Sequence, residues 1–217
     1  MRTKFITSFM LALICGLPLS AKVYTITSPN KKLVVNISVD KELKWDIKSG
    51  NSIVMLPSSI ALQTDKACLG KNMKVSKASI YNKVENADKA DVWGIKANRP
   101  YQGLKLSGNG YDVEFRVFND AASYRFVPKK LINRVINETS EYLFAGNPQT
   151  FVPYVNDNRG GERWCYSFES YYDEAPLSNM YQDSLAITPL AVCLPQGKKA
   201  VVMEADVENY PGMYLLK

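Results

Sequence analysis

The chain has 217 residues, a formal net charge of +6 and no histidine. The missing histidine excludes Ser-His-Asp and Cys-His catalysis, histidine-ligated zinc and imidazole proton relays. Any chemistry must rest on carboxylates, Tyr, Lys or a hard cation held by oxygen ligands, and at this length one domain buries an ample core.

Arg2 and Lys4 form a positive head, Phe5–Leu17 an apolar run, and Leu19-Ser20-Ala21 a small-residue cleavage site. That is the pattern of a secretory signal peptide over residues 1–21. The run is too short to span a bilayer as a stable helix, and the bulky Ile14 before Cys15 argues against lipid attachment. The expectation is a periplasmic or secreted protein of residues 22–217 with no membrane anchor. Losing Arg2 and Lys4 lowers the charge by two. The remaining lysines are scattered and form no nucleic-acid arm, so nucleic acid is not an expected partner.

Cys68, Cys165 and Cys193 remain in the mature part. An odd number cannot close a disulfide framework, and the wide spacing fits no zinc pattern. One disulfide in an oxidising compartment and three buried thiols both stand as readings.

Short strand patterns fill most of the chain. Leu33, Val35, Ile37 and Val39 share one face, and Leu43, Trp45 and Ile47 repeat the pattern after Asp40-Lys41. Ile53–Leu56 is expected to stop at Pro57, and Leu104–Leu106 is the next short strand. Tyr111–Val117 alternates strictly, which marks a half-buried strand. Asn119-Asp120-Ala121-Ala122 interrupts it as a turn, and Ser123–Val127 returns as the second arm of a hairpin. Leu131–Ile136, Ile187–Leu194 and Ala200–Val207 complete the set. Turn residues separate the runs, among them Gly108-Asn109-Gly110 and Gly146-Asn147-Pro148. No segment holds a helical period over three turns. The pattern predicts an all-β fold, a large antiparallel β-sandwich in one domain.

Pro153–Pro176 breaks the pattern: it is long, polar and aromatic, as functional segments in compact domains often are. Glu162, Glu169, Asp173 and Glu174 crowd it, and carboxylate oxygens suit calcium. Solvated acids over core aromatics are the competing reading. Trp93, Trp164 and Tyr166 are candidates for stacking on sugar rings, with Trp164 favoured by its place in this segment. The final run Tyr210–Lys217 reads as a turn entering a strand. It predicts that the chain is truncated, with its last apolar residues unpaired and prone to disorder or aggregation.

The words of the sequence resemble the N-terminal domain of glycoside hydrolase family 97, secreted α-glucosidases and α-galactosidases. The matching words run in order through Thr27–Val39, Val92-Trp93-Gly94, Tyr101–Leu104, Glu114–Phe126, Glu138–Phe144, Ile187–Val192 and Glu204–Leu215. The resemblance implies a super-sandwich of the galactose-mutarotase-like kind. It also implies a (β/α)8 barrel, normally in the same chain, that carries the catalytic pair. No residue of this chain matches that pair, so the expectation is no catalytic residue and no activity alone. The resemblance further implies calcium, shared with the barrel, with Glu169 as this domain's ligand and Glu204 as the runner-up. α-Linked glucosides or galactosides are the implied substrates. Two positions depart from the family pattern. Ala121 replaces a turn glycine, and Tyr101-Gln102-Gly103-Leu104 lacks the family's two polar side chains at its centre. A stand-alone carbohydrate-binding sandwich and an envelope structural protein remain as alternatives.

Overall fold

A computed structural model describes residues 21–86, 98–132, 134–155, 168, 170–182, 184–208 and 210–217. They form fourteen strands and two single turns of 3₁₀-helix. The all-β expectation holds, and among the described residues every pair of neighbouring strands runs antiparallel.

The first sheet contains β1 (Lys22–Thr27), β2 (Leu33–Val39), β3 (Leu43–Ser49), β4 (Ser52–Thr64) and β10 (Val135–Ser140) in that order, with the short β5 (Cys68–Leu69) added on β4. The second runs β6 (Val75–Asn86), β7 (Asn98–Gly108), β8 (Tyr111–Val117) and β9 (Ala122–Pro128). The third is β12 (Asp173–Pro176), β11 (Gln149–Val152), β13 (Leu190–Cys193) and β14 (Lys199–Val202).

The first two sheets face each other over one core. Alternation decides which residues enter it: Val35, Ile37, Leu43, Leu104, Leu106, Val113, Phe115 and Val117 are all fully buried. Trp45 packs beside Phe115 and Tyr124, at ring-centroid distances of 6.2 and 5.3 Å. The predicted hairpin is present, with Val113 opposite Phe126 and Phe115 opposite Tyr124. Asn109 and Gly110 join β7 to β8 with φ of 50° and 81°. Positive φ at both central residues is the two-residue hairpin turn that Asn-Gly favours. In the next turn the Phe118 N–H donates to Ala121 O at 2.8 Å. Ala121 has no positive φ, so replacing glycine there costs nothing in backbone strain.

Pro57 does not end its strand. β4 runs through it, because the register slips between Trp45 opposite Ser58 and Ile47 opposite Met55. Leu56 and Pro57 together face Asp46 there. A bulge leaves an extra residue unpaired, which accommodates a residue with no N–H.

β6 and β11 are strands that the hydrophobic pattern did not mark. β6 reads VSKASIYNKVEN, and its Ile80 and Val84 are 55% and 56% exposed. Neither of its faces is covered enough to demand alternation. The third sheet has its own smaller core of Val152, Tyr154, Met180, Ala186, Leu190, Val192, Leu194 and Val202.

The last residues are not an unpaired run. Leu215 exchanges two backbone hydrogen bonds with Ala186, at 2.7 and 2.9 Å. Met213 and Leu215 pack on the core of the third sheet. Among the described residues no helix is long and apolar enough to cross a membrane.

Candidate functional site

The segment singled out as irregular leads into the third sheet, and part of it is regular. Asp173–Pro176 pairs with Gln149–Val152 in a four-residue ladder. Beside this ladder lies a pocket of about 360 Å³, lined by Tyr154, Tyr172, Asp173, Glu174, Asn179 and Tyr181, with Ala175 between them.

Tyr154 anchors the pocket. It is 3% exposed, and its hydroxyl oxygen accepts the Tyr181 N–H at 2.9 Å. Burial raises the Tyr154 hydroxyl above the ordinary phenol range, so it stays protonated at any physiological pH. Its ring lies 4.9 Å from the Tyr181 ring at a tilt of 33°. Tyr181 and Tyr172 are exposed, and Tyr172 meets Phe168 edge-on with centroids at 5.5 Å. Asn179 enters the rim from the 3₁₀ turn Leu177–Asn179. This turn is pinned by Asn147, whose Oδ1 accepts the Ser178 N–H at 2.7 Å.

Tyrosine faces offer flat apolar area with a polar edge, and Asn179 with one carboxylate of the Asp173–Glu174 pair supplies hydrogen-bond partners for hydroxyl groups. That combination suits a sugar ring. It does not suit hydrolysis. Asp173 and Glu174 are neighbours on one strand, so their side chains leave opposite faces. They cannot flank one glycosidic bond, as a catalytic pair must.

Glu169, Trp164, Trp93, Tyr166, Cys165 and Glu162 lie outside the described residues. Glu204 has a structural occupation: its Oε1 accepts the Met213 N–H at 2.8 Å. It holds the last segment close to β10, where Tyr142 Oη reaches Met213 Sδ at 3.8 Å. Among the described residues no group of three or more Asp, Glu, Cys or His side chains converges to hold a metal. Cys68 and Cys193 are free and half-buried. Tyr154, Asn179 and Tyr181 were not singled out in the sequence. They fall in two stretches without periodicity, Tyr154 near the start of Pro153–Pro176 and Asn179 and Tyr181 just beyond its end, and the fold of the third sheet gathers them.

Gly103 and Gln102 explain the departure noted above. The hydroxyl end of the Tyr81 ring lies against Gly103, so close that a Cβ there would stand 2.4 Å from the ring. Gln102 keeps a polar role: its Oε1 accepts the Thr27 N–H at 2.9 Å and its amide donates to Asn82 at 3.2 Å. It ties the second sheet to the first, which is support for the sandwich.

A family model described as Glycosyl-hydrolase 97 N-terminal matches residues 26–217. A curated retaining alpha-galactosidase of Bacteroides thetaiotaomicron is 33% identical over 219 aligned residues, which cover 98% of this chain and 33% of that protein. Among solved structures, a Glycoside Hydrolase Family 97 enzyme from Pseudoalteromonas sp., in complex with acarbose, superposes with a TM-score of 0.68 at 20% identity. The match covers 89% of this chain and 30% of that one. A beta-arabinopyranosidase superposes with a TM-score of 0.70 at 18% identity, over 85% of this chain and 32% of that one. The chain thus spans about a third of the length of these relatives.

Proposed function

This chain belongs to the Glycosyl-hydrolase 97 N-terminal family, and from that premise we propose that it is the sugar-facing, active-site-supporting domain of a secreted exo-α-glycosidase. The observation that carries the proposal is the match over residues 26–217 within relatives about three times as long. In this reading chemistry belongs to a (β/α)8 barrel, and this domain contributes surface rather than acid and base. The missing histidine and the opposed directions of Asp173 and Glu174 agree with that division.

The relative named as a retaining alpha-galactosidase favours α-galactosides over α-glucosides as substrate, and retention over inversion. Calcium belongs to the proposal as a shared ion. A carboxylate is the right kind of donor, and Glu169 is the residue assigned to it. One carboxylate leaves most of the 6–8 oxygen ligands of calcium to be supplied from elsewhere, so Glu169 suits part of such a site and not the whole. Residues 1–21 are assigned as the signal that directs the protein to the periplasm or beyond.

The test is turnover of an aryl α-galactoside and an aryl α-glucoside by the chain alone and by a fusion to a relative's barrel. The expected result is no turnover alone and calcium-dependent turnover, larger on the galactoside, in the fusion. Hydrolysis by the chain alone overturns the division of labour. The pocket of Tyr154, Tyr172 and Tyr181 favours a second reading, glycan capture without catalysis. That reading requires glycan binding by the chain alone, lost in Tyr181→Ala.

A further inference from the structure

The second sheet ends on an unusually open edge. β6 is twelve residues long, and among the described residues its one hydrogen-bonded neighbour is β7. Such an edge offers a row of free N–H and C=O groups to any strand that fits. The edges of the third sheet and the far edge of the second are protected differently. β12 and β14 have four residues each, and β9 runs into Pro128. β6 contains no proline and no glycine, and its one register irregularity is confined to the Val75–Lys77 end.

Among the described residues both faces of this edge are largely uncovered. Ile80 opposes Leu104 and Val84 opposes Pro100, so both apolar side chains point to the core side of the sheet. They are nevertheless more than half exposed. They overhang the sandwich. Lys77, Lys83 and Glu85 occupy the opposite face and are exposed as well.

We propose that β6 is a self-pairing edge, joining two copies of this chain into a dimer by an antiparallel β6–β6 contact centred on Tyr81. Symmetry limits the choices. A two-fold axis normal to the sheet preserves its faces, so paired residues must have the same parity and the axis must pass midway between one residue and its own copy. Centring on Tyr81 uses the strand's full run from Ser76 to Asn86. It places Lys77 opposite the partner's Glu85 twice, by symmetry. It also sets Ala78 opposite the partner's Val84, and Ile80 opposite the partner's Asn82, so the overhanging apolar groups share one patch. Centring on Ile80 instead sets Lys77 opposite the partner's Lys83, a like-charge pair that is destabilising. The occupant is therefore chosen by charge complementarity: the strand carries, at matching distances from its centre, the two charges that its own copy requires.

Sedimentation velocity over a range of concentrations tests the proposal on the full chain. Dimerisation is expected, and Lys77→Glu should weaken it about tenfold, since two attractive cross-strand pairs become two repulsive ones. The double variant Lys77→Glu with Glu85→Lys should recover most of that loss. Its recovery is partial because Glu85 also accepts from Arg116 at 3.1 Å. Circular dichroism of each variant separates a lost contact from a lost fold. A monomer at every concentration overturns the proposal and leaves the edge to a strand of another protein or of a longer chain. So does a dimer that Lys77→Glu leaves unchanged.

Discussion

The Tyr210 hydroxyl donates to Glu138 Oε2 at 2.8 Å, joining two residues 72 positions apart. Glu138 opens the matching stretch Glu138–Phe144 and Tyr210 lies within Glu204–Leu215, so the two stretches meet in space. Glu138 Oε1 accepts in turn from Ser140 at 2.9 Å, and Ser140 bonds to Tyr124 on the sandwich. The last segment is thereby tied to both the first and the second sheets. Burial, then the bond to Glu138, raises the Tyr210 hydroxyl well above the phenol range, so the latch keeps its proton. Tyr210→Phe removes the donor and keeps the ring. We expect a loss of about 1 kcal/mol in stability. Faster amide exchange at Met213 and Leu215 would locate it. Unchanged exchange there would show that the backbone pairing with Ala186 holds the segment alone.

Phe115 is fully buried between Trp45 and Tyr124, at centroid distances of 6.2 and 6.3 Å. Phe115→Ala leaves a cavity that two large rings cannot collapse to fill. The expected cost is about 3–5 kcal/mol, read as a shift in the denaturant midpoint. A shift under 1 kcal/mol would mean that the core repacks there.

What the sequence disclosed follows from burial. Where a strand has one buried and one polar face, as in Leu33–Val39 and Tyr111–Val117, alternation reveals it. β6 escaped because neither face is buried, and β11 because four residues carry too short a pattern. Pro57 misled because proline looks like a stop, while the bulge that accommodates it depends on the neighbouring strand. The end of the chain misled likewise, since its partner Ala186 is an isolated bridge and not a strand. The pocket residues Tyr154, Asn179 and Tyr181 could not be grouped beforehand, since their proximity comes from the tertiary path of the third sheet.

Gly103 and Tyr81 form a pair whose coupling is measurable. Gly103→Ala would drive a methyl into the Tyr81 ring, and the ring's outer atoms must shift. Overpacking of this kind costs about 1–3 kcal/mol, with the low end expected because Tyr81 sits near an open edge. Tyr81→Ala should cost little more when Gly103→Ala is already present. A double-mutant cycle that shows full additivity would contradict the contact.

Asp112 sets the acid limit of the second sheet. Burial pushes its pKa up, but hydrogen bonds from Ser107, Lys105 and Lys129 outweigh that and hold it at about 2. The lysine contacts are each 3.0 Å. The folded pKa lies below the unfolded value of 3.8, so the folded state favours the ionised form. Its contribution is therefore complete above pH 4 and is lost as pH falls from about 4 to about 2. Thermal unfolding across that window should show a steeper loss of stability in the parent than in Asp112→Asn. Parallel curves would show that other carboxylates dominate acid unfolding.

Glu169 and Glu204 were the two candidates for a calcium ligand, and Glu204 has a structural contact of its own. Glu204 spends one oxygen on the Met213 N–H. Glu204→Gln keeps an acceptor in place and removes the charge, so it should retain the segment with little loss of stability. Glu204→Ala leaves that N–H without its acceptor, at a cost of about 1–3 kcal/mol if the group stays buried. Neither change should alter calcium dependence if Glu169 is the ligand. In a fusion to a relative's barrel, Glu169→Ala should raise the calcium concentration needed for half activity and leave the unfolding midpoint in chelator untouched. The chain alone should show weak calcium binding by calorimetry, because one carboxylate supplies too few of the oxygens that calcium gathers. The decisive comparison is the calcium titration of the two alanine variants in the fusion. Dependence lost in Glu204→Ala and kept in Glu169→Ala would transfer the ligand role to Glu204, and its bond to Met213 would then have to break when calcium arrives.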